Sequence, residues 1–293
     1  MENTSALGEI STVLQSRYGC KLVRLNGGYT NMTFLLEGTS PLLVAKVTGL
    51  LYPDTLNEIS SLNLLVKSGI TPIIHDVLDI ANLSIVLMEY RIGENGQSIL
   101  DSGNLDRMKI VYKKLGQFLA SRIHSKPLAD SDHGIRRSNI ENLKLNLEAE
   151  FVPENLISQS RIVLSSIDVN EQNWVLTHGD YGPHNILTDD KNNFSVLDWE
   201  WAEWGNPLND VAWVCWFTKL HYPLLAPILN RTFIDEYILH NPMPITPNQL
   251  KACSLYKAWN VIYRVRDATP EVKKEWLRRL EWTLNSDFSY VVS

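Results

Sequence analysis

The chain has 293 residues, a length that allows two modest domains or one large one. Apolar residues make up 44% and charged residues 20%, an ordinary globular composition that argues against disorder. The net charge of −6 disfavours nucleic acid as a partner, since phosphate backbones require a concentrated basic surface. We found no CxxC spacing, signal-peptide pattern or long apolar run, which together predict a cytoplasmic protein that does not enter a membrane.

The first 90 residues alternate strand-like runs with turn signals. A short helix is predicted at the N-terminus, and another at about 55–67 follows the third strand. Strands are predicted at residues 21–25, 29–37, 42–47, 73–79 and 83–90. This order predicts a small antiparallel sheet with one inserted helix.

From Gly93 onward the pattern is mainly helical. Helices are predicted over 105–124, over 139–167 with an interruption at Pro153, and from about 209 to the C-terminus, where Thr269-Pro270 starts the last one. A strand-and-hairpin segment is predicted at 174–198. The fold class is therefore α+β, with an N-terminal lobe over 1–92 ending in a hinge and a helical lobe over 93–293.

One segment carries the residue types of phosphoryl transfer. Asp180 follows His178-Gly179, Asn185 comes five residues later, and a predicted hairpin leads to Asp198. An aspartate that accepts a proton, followed at this spacing by an asparagine and later by an aspartate that bind Mg²⁺, matches the kinase arrangement. A zinc-dependent hydrolase that uses His178, Asp180 and His184 is an alternative for the same residues.

Lys46 and Glu58 are candidates for the nucleotide side. Lys46 lies in the apolar run Leu-Val-Ala-Lys-Val, where a kinase places the lysine that contacts the ATP phosphates. Glu58, on the next helix, is its candidate partner. The alternative is a capping box, in which Glu58 folds back to the main chain of Thr55.

Two further segments are candidates for nucleotide contact. The turn Asn26-Gly27-Gly28 predicts a hairpin whose tip, from Gly28 to Asn31, covers the phosphates. The run that ends in Glu89-Tyr90-Arg91 lies where the two lobes meet. We expect main-chain groups of Glu89 and Arg91 to pair with the adenine edge.

The acceptor side is predicted from tryptophans and glutamates. Glu200, Trp201 and Glu203, together with Trp199 and Trp204, are residue types that bind a cationic amine through charge and cation–π contacts. The alternative is that the tryptophans pack as large apolar side chains, and we expect this of Trp213 and Trp216.

These motifs resemble one known group of enzymes. The runs HGDYGPHN (178–185), LDWE (197–200) and GNPLND (205–210) are similar to those of the aminoglycoside phosphotransferase and choline kinase-like superfamily, whose fold is protein-kinase-like. The resemblance implies that Asp180 is the catalytic base, that Asn185 and Asp198 hold Mg²⁺, and that Lys46 contacts ATP. It also implies that His178 and Asp210 support the site, with Asp210 bracing the catalytic loop (residues 178–185). From sequence alone, Asp210 could instead cap the following helix.

The expected function is a small-molecule kinase. ATP, or GTP, with Mg²⁺ would supply the γ-phosphate, and the acceptor would be a hydroxyl group of an antibiotic such as an aminoglycoside or of an amino-alcohol or sugar metabolite. The alternative from another class is a nucleotide-binding pseudokinase without activity.

Overall fold

The computed structural model describes residues 2–25, 32–48, 52–80, 83–189 and 193–289. By their contacts the residues divide into two compact units. The first contains residues 1–94, 133–135 and 186–201, and the second contains 95–132, 136–185 and 202–293. The prediction of a nucleotide-binding lobe over 1–92 concerns function and stays a prediction.

The first unit is built on an antiparallel sheet. Helix α1 (Glu2–Tyr18) precedes strands β1 (Lys21–Arg24), β2 (Met32–Glu37) and β3 (Leu43–Thr48), and helix α2 (Tyr52–Leu65) precedes β4 (Ile74–Ile80) and β5 (Leu83–Glu89). The strand order is β1-β2-β3-β5-β4, so β3 lies at the centre. This confirms the predicted sheet with one helix inserted after the third strand, although α2 begins three residues earlier than predicted.

The core of the first unit lies between α1 and the sheet. Ile10 and Leu14 from α1 pack with apolar residues of β2, β3 and β5. These residues recur at every second strand position, because alternate side chains of a strand point to the same face. The same alternation places Lys46 of β3 on the other face from Ala45 and Val47, which are both buried.

The second unit is mainly helical. After the short strand β6 (Glu94–Asn95), its helices are α3 (Gly96–Asp101), α4 (Leu105–Phe118), α5 (Ile140–Leu145), α6 (Glu154–Leu164), α7 (Leu208–His221), α8 (Ala226–His240), α9 (Pro247–Arg264) and α10 (Pro270–Asn285). A π-helical turn, Leu119–Ile123, extends α4. Helix α10 has Thr269 at its N-cap and Pro270 in its first turn, which confirms the predicted start.

Short strands flank the predicted catalytic segment. Strand β7 (Val175–Thr177) pairs with β10 (Glu203–Gly205) in the second unit. Strands β8 (Ile186–Thr188) and β9 (Phe194–Val196) form the predicted hairpin in the first unit. Within the described ranges, no helix combines the length and apolar content needed to cross a membrane.

Candidate active site

Lys46 forms an ion-paired cluster in the first unit. Its Nζ atom donates to Oε1 and Oε2 of Glu58 at 2.9 and 2.8 Å, and to Oδ1 of Asp198 at 2.8 Å. Burial by itself would lower the pKa of Lys46, but the carboxylates of Glu58 and Asp198 outweigh burial and raise it. The lysine is therefore held as an ammonium ion at the centre of the sheet.

The side chain of Glu58 is fixed in this cluster by hydrogen bonds. The residue is 2% exposed, and its Oε1 atom also accepts a hydrogen bond from the main-chain N–H of Trp199 at 3.3 Å. Helix α2 begins at Tyr52, so Thr55 lies within the helix and not at its N-cap. The capping-box alternative for Glu58 is therefore wrong, because the glutamate side chain bonds Lys46 instead.

Asp198 has an unusual main-chain conformation. Its φ angle is 63°, a left-handed value that aspartate tolerates better than most residues. One carboxylate oxygen bonds Lys46, and 38% of the side chain is exposed. Strained conformations of this kind concentrate at functional sites. Asp198 therefore presents a carboxylate that is anchored at one oxygen and accessible to a ligand.

Asp210 supports the start of the predicted catalytic loop, which begins at His178 and contains Asp180, in the second unit. Its two carboxylate oxygens accept the main-chain N–H groups of His178 at 2.7 Å and Gly179 at 2.8 Å. Nε2 of buried His124 lies 3.1 Å from the same carboxylate. Helix α7 begins at Leu208, so Asp210 lies in its first turn and is not the N-cap. The carboxylate therefore braces the loop, as the resemblance implied.

The carboxylate of Asp180 is held at both oxygens. Oδ1 accepts the indole N–H of Trp213 at 2.7 Å, and Oδ2 accepts Nδ2 of Asn185 at 3.1 Å. Nε2 of His184 lies 3.4 Å from Oδ2. The side chain is 25% exposed, so part of the carboxylate can still contact a ligand.

The charges around Asp180 favour its ionised form. Burial by itself would raise the pKa of this carboxyl. His184, Lys257 and His178 act in the opposite direction and together lower the pKa well below its usual range. Asp180 is therefore a carboxylate at neutral pH, the form that can accept a hydrogen bond from a hydroxyl group.

Asn185 and Asp198 have the oxygen donors that Mg²⁺ prefers. The amide nitrogen of Asn185 donates to the main-chain oxygen of Asp180 at 2.9 Å and also to its carboxylate, which leaves the amide oxygen for a metal ion. The carboxylate of Asp198 supplies the second donor. Each of the two residues therefore offers an oxygen donor of the kind that Mg²⁺ takes, and their joint role as metal ligands stays a prediction.

The alternative zinc site is not assembled. Nδ1 of His178 accepts the main-chain N–H of Asp180 at 3.2 Å, so this ring nitrogen is already used. Across the described part of the chain, no group of three or more His, Cys, Asp or Glu side chains is arranged to hold a metal ion. His178, Asp180 and His184 are thus parts of one hydrogen-bonded loop.

Glu203 belongs to a polar cluster in the second unit. The hydroxyl of Tyr256 lies 3.1 Å from each of its carboxylate oxygens. Burial raises the pKa of Glu203 to about 7, although Tyr256, Lys257 and Arg136 partly oppose this. Burial likewise lowers the pKa of Lys257 to about 8, although the charges of Asp180 and Glu203 act to raise it.

A family model matches the sequence over residues 21–237, well over half of the chain. It describes the phosphotransferase enzyme family. The chain belongs to this family. No curated protein matches the sequence of this phosphotransferase.

The fold of this phosphotransferase is similar to that of several solved phosphotransferases and kinases. Aminoglycoside phosphotransferase APH(4)-Ia is 15% identical with a TM-score of 0.70, and the alignment covers 95% of this chain and 98% of that one. Spectinomycin phosphotransferase APH(9)-Ia, in complex with ADP and spectinomycin, is 15% identical with a TM-score of 0.63, covering 96% and 95%. Amicoumacin kinase hAmiN, in complex with AMP-PNP and Ca²⁺, is 13% identical with a TM-score of 0.66, covering 94% and 92%. The predicted kinase-like α+β fold is confirmed by these structures, and the predicted phosphotransferase class is confirmed by the family match.

Two of the tryptophans that were predicted to bind a cationic amine need correction. Trp199 and Trp204 are at most 2% exposed, and each indole N–H donates to a main-chain oxygen, so neither ring is accessible to a cationic amine. Glu200 is 7% exposed, and its contact with an acceptor stays a prediction. Trp201 is half-buried and stays a prediction.

The nucleotide-side predictions have mixed outcomes. Gly28 and Asn31 lie outside the described residues. The main-chain N–H of Glu89 donates to Ile73 at 2.9 Å, so this group cannot pair with adenine. The guanidinium of Arg91 donates to the main-chain oxygen of Thr71 at 2.6 Å and contacts the Glu89 carboxylate, which anchors the side chains of this segment.

Sequence reasoning missed three residues of this phosphotransferase's site. Trp213 was predicted to be packing alone, yet its indole bonds Asp180; Lys257 and Tyr256 were not singled out. A signal existed for Trp213, because it lies three positions after Asp210 and thus on the same face of a helix. The residues of α9 gave no such signal, since they follow the catalytic loop by more than seventy positions.

Proposed function

We propose that this phosphotransferase moves the γ-phosphate of ATP, or of GTP, to a hydroxyl group of a small molecule, with Mg²⁺ as the metal ion. The observation that carries the proposal is the Asp180 carboxylate, which is ionised and held at both oxygens by Trp213 and Asn185. Phosphoryl transfer depends on such positioning and on neutralisation of charge.

In this proposal Asp180 is the catalytic residue on the acceptor side. Its carboxylate receives a hydrogen bond from the acceptor hydroxyl, orients the oxygen for attack and takes up the proton as the new bond forms. Because the pKa of Asp180 is lowered, the group is a weak base whose main contribution is orientation. The main chain that carries it is fixed by Asp210.

In this proposal the ammonium group of Lys46 contacts the phosphates of the nucleotide. Its ammonium group remains charged beside Glu58, so a phosphate group can replace Asp198 as its second partner without change of protonation. Asn185 and Asp198 would hold Mg²⁺, which when bound neutralises the charge on the phosphates.

The acceptor class is proposed from the solved relatives. One structure of APH(4)-Ia contains hygromycin B with AMP-PNP, and that of APH(9)-Ia contains spectinomycin. We therefore place an aminoglycoside-like antibiotic first among the acceptors, ahead of amino-alcohol and sugar metabolites. Among the residues predicted to contact the acceptor, Glu203 lies in the same unit as Asp180, and we propose that its carboxylate contacts an amine of the acceptor.

The test is nucleotide turnover with a panel of acceptors. We expect ADP to be released only with Mg²⁺ and a hydroxyl-bearing acceptor, and mass spectrometry to identify a phosphorylated product. Asp180→Ala should lower kcat about 10²- to 10⁴-fold without unfolding the protein. Asp189→Ala is the control, because that carboxylate bonds Asn193 in the hairpin turn.

Two results would overturn the proposal. Near-normal turnover by Asp180→Ala with an identified acceptor would remove Asp180 from the mechanism. Binding of ATP and Mg²⁺ in a thermal-shift assay, with no phosphate transferred to any alcohol tested, would favour an inactive nucleotide-binding module.

A further inference from the structure

Among the described residues, Trp213 makes the shortest side-chain hydrogen bond to Asp180. Its indole N–H donates to Oδ1 at 2.7 Å, and the acceptor is an ionised carboxylate, so the bond is of the strong charge-assisted kind. The other oxygen, Oδ2, accepts from Asn185 at 3.1 Å. Two donors on opposite oxygens fix the plane of the carboxylate as well as its position.

The indole ring itself is firmly placed. Trp213 is 5% exposed and stacks on Trp216 with ring centroids 4.4 Å apart and an angle of 9° between the planes. Nζ of Lys257 lies 5.6 Å from the centroid of the Trp213 ring, within range of a cation–π contact. A ring packed in this way cannot turn its N–H away from Asp180 without moving its neighbours.

Trp213 also shares a helix face with Asp210. The two residues lie three positions apart on α7, and Asp210 bonds the main chain of the catalytic loop while Trp213 bonds the side chain of Asp180. One helix therefore sets both the path of the loop and the rotamer of its aspartate.

We propose that Trp213 is a positioning residue for phosphoryl transfer, which orients the Asp180 carboxylate toward the acceptor hydroxyl through its indole N–H. The inference rests on the proposed function of Asp180. Without the indole donor the carboxylate gains rotational freedom, and fewer bound acceptors have their hydroxyl aligned with the phosphate. The loss affects kcat, because neither ATP nor the acceptor loses a contact of its own.

The chain offers a matched pair of variants. Trp213→Phe keeps an aromatic ring in the stack and removes only the indole donor. Trp216→Phe does the same to its neighbour, whose indole N–H donates to Oγ1 of Thr283 at 2.7 Å. Both variants lose one indole hydrogen bond, and they differ in whether that bond reaches Asp180.

We expect the two variants to differ in kcat. Trp213→Phe lowers kcat about 10-fold or more, while KM for ATP and for the acceptor changes less than about 2-fold. Trp216→Phe keeps kcat within about 2-fold of wild type, although both variants lose similar thermal stability. In the Asp180→Ala background, Trp213→Phe causes no further loss of the residual activity, because the two residues act through one bond.

Three outcomes would overturn the inference: near-normal kcat in Trp213→Phe, an equal loss of kcat in Trp216→Phe, or additive losses with Asp180→Ala. An active Asp180→Ala variant would instead remove the proposed function, so the two failures are distinguishable.

If Trp213→Phe does not fold, NMR of the ¹⁵N-labelled tryptophans in Asp180→Ala gives the answer. The indole N–H resonance of Trp213 should move upfield when its carboxylate acceptor is removed, and that of Trp216 should not move. An unchanged Trp213 resonance would overturn the inference.

Discussion

Oδ2 of Asp210 lies 2.7 Å from the main-chain nitrogen of His178, and both residues are fully buried. The second carboxylate oxygen bonds the N–H of Gly179, whose φ angle of 77° is one that glycine adopts without strain. A side chain on α7 thus replaces water as the partner of two main-chain donors at the start of the catalytic loop.

Replacing Asp210 with asparagine should destabilise the protein and slow turnover. Asparagine has one acceptor oxygen, so one buried N–H group loses its partner at a cost of about 2 kcal/mol. Unfolding in urea and steady-state kinetics measure the two effects. Asp235→Asn is the control, because its exposed ion pair with Arg231 should contribute less than about 1 kcal/mol. Equal stability of the two variants would contradict the role assigned to Asp210.

Glu58→Gln should lower the free energy of unfolding by about 3 kcal/mol, since it removes the charge of one partner from a buried ion pair. The side chains of Lys46 and Glu58 are only 12% and 3% exposed, so solvent screens their interaction little. Denaturant unfolding measures the change, and KM for ATP should rise because Lys46 loses its anchor. Glu275→Gln, at an exposed cluster with Arg278 and Arg279, should change stability by less than about 1 kcal/mol.

Gly116→Ala should destabilise the protein strongly, because helices α4 and α8 approach closely at this residue. A Cβ atom at Gly116 would lie 2.4 Å from the main-chain oxygen of Phe233 and 2.9 Å from the nitrogen of Tyr237. We expect a cost of about 2 kcal/mol or more, measured by thermal unfolding. Gly8→Ala on α1 has open space around it and should instead stabilise the helix by up to about 1 kcal/mol. Similar effects of the two substitutions would contradict this packing argument.

Glu203→Gln should flatten the dependence of stability on pH. Burial raises the pKa of Glu203 from 4.5 to about 7, so the folded state binds this proton more tightly than the unfolded state. The resulting stability is complete below pH 4.5 and is lost as the pH rises to about 7. Urea unfolding of wild type and variant at pH 5 and pH 7.5 tests this, and the wild type should lose more stability between the two values. An identical difference in both proteins would show that Glu203 does not titrate in this range.

The candidate site was predicted from the sequence where its residues are close along the chain. Asp180 and Asn185 lie five positions apart in one loop, so the hydrogen bond between them is a local event that spacing can indicate. The Lys46–Glu58 pair could also be anticipated, because an ion in an apolar strand requires a partner and the next helix supplies one. The order of strands and helices followed in the same way from the periodicity of apolar residues.

The roles of the tryptophans could not be predicted in this way. Trp199, Trp204 and Trp213 are alike in sequence, each beside or near an acidic residue, yet two bond main-chain oxygens and one bonds Asp180. Burial decides which hydrogen-bond partner each indole finds, and burial depends on contacts between segments that are far apart in the chain.

Local sequence therefore determined the family, the order of elements and the residues that carry charge at the site. Only the tertiary structure decided which groups surround Asp180, because Trp213 and Lys257 come from helices that begin long after the catalytic loop. Hydrogen bonds and buried charges depend on distance in space, and spacing along the chain sets that distance only within a turn or a single helix.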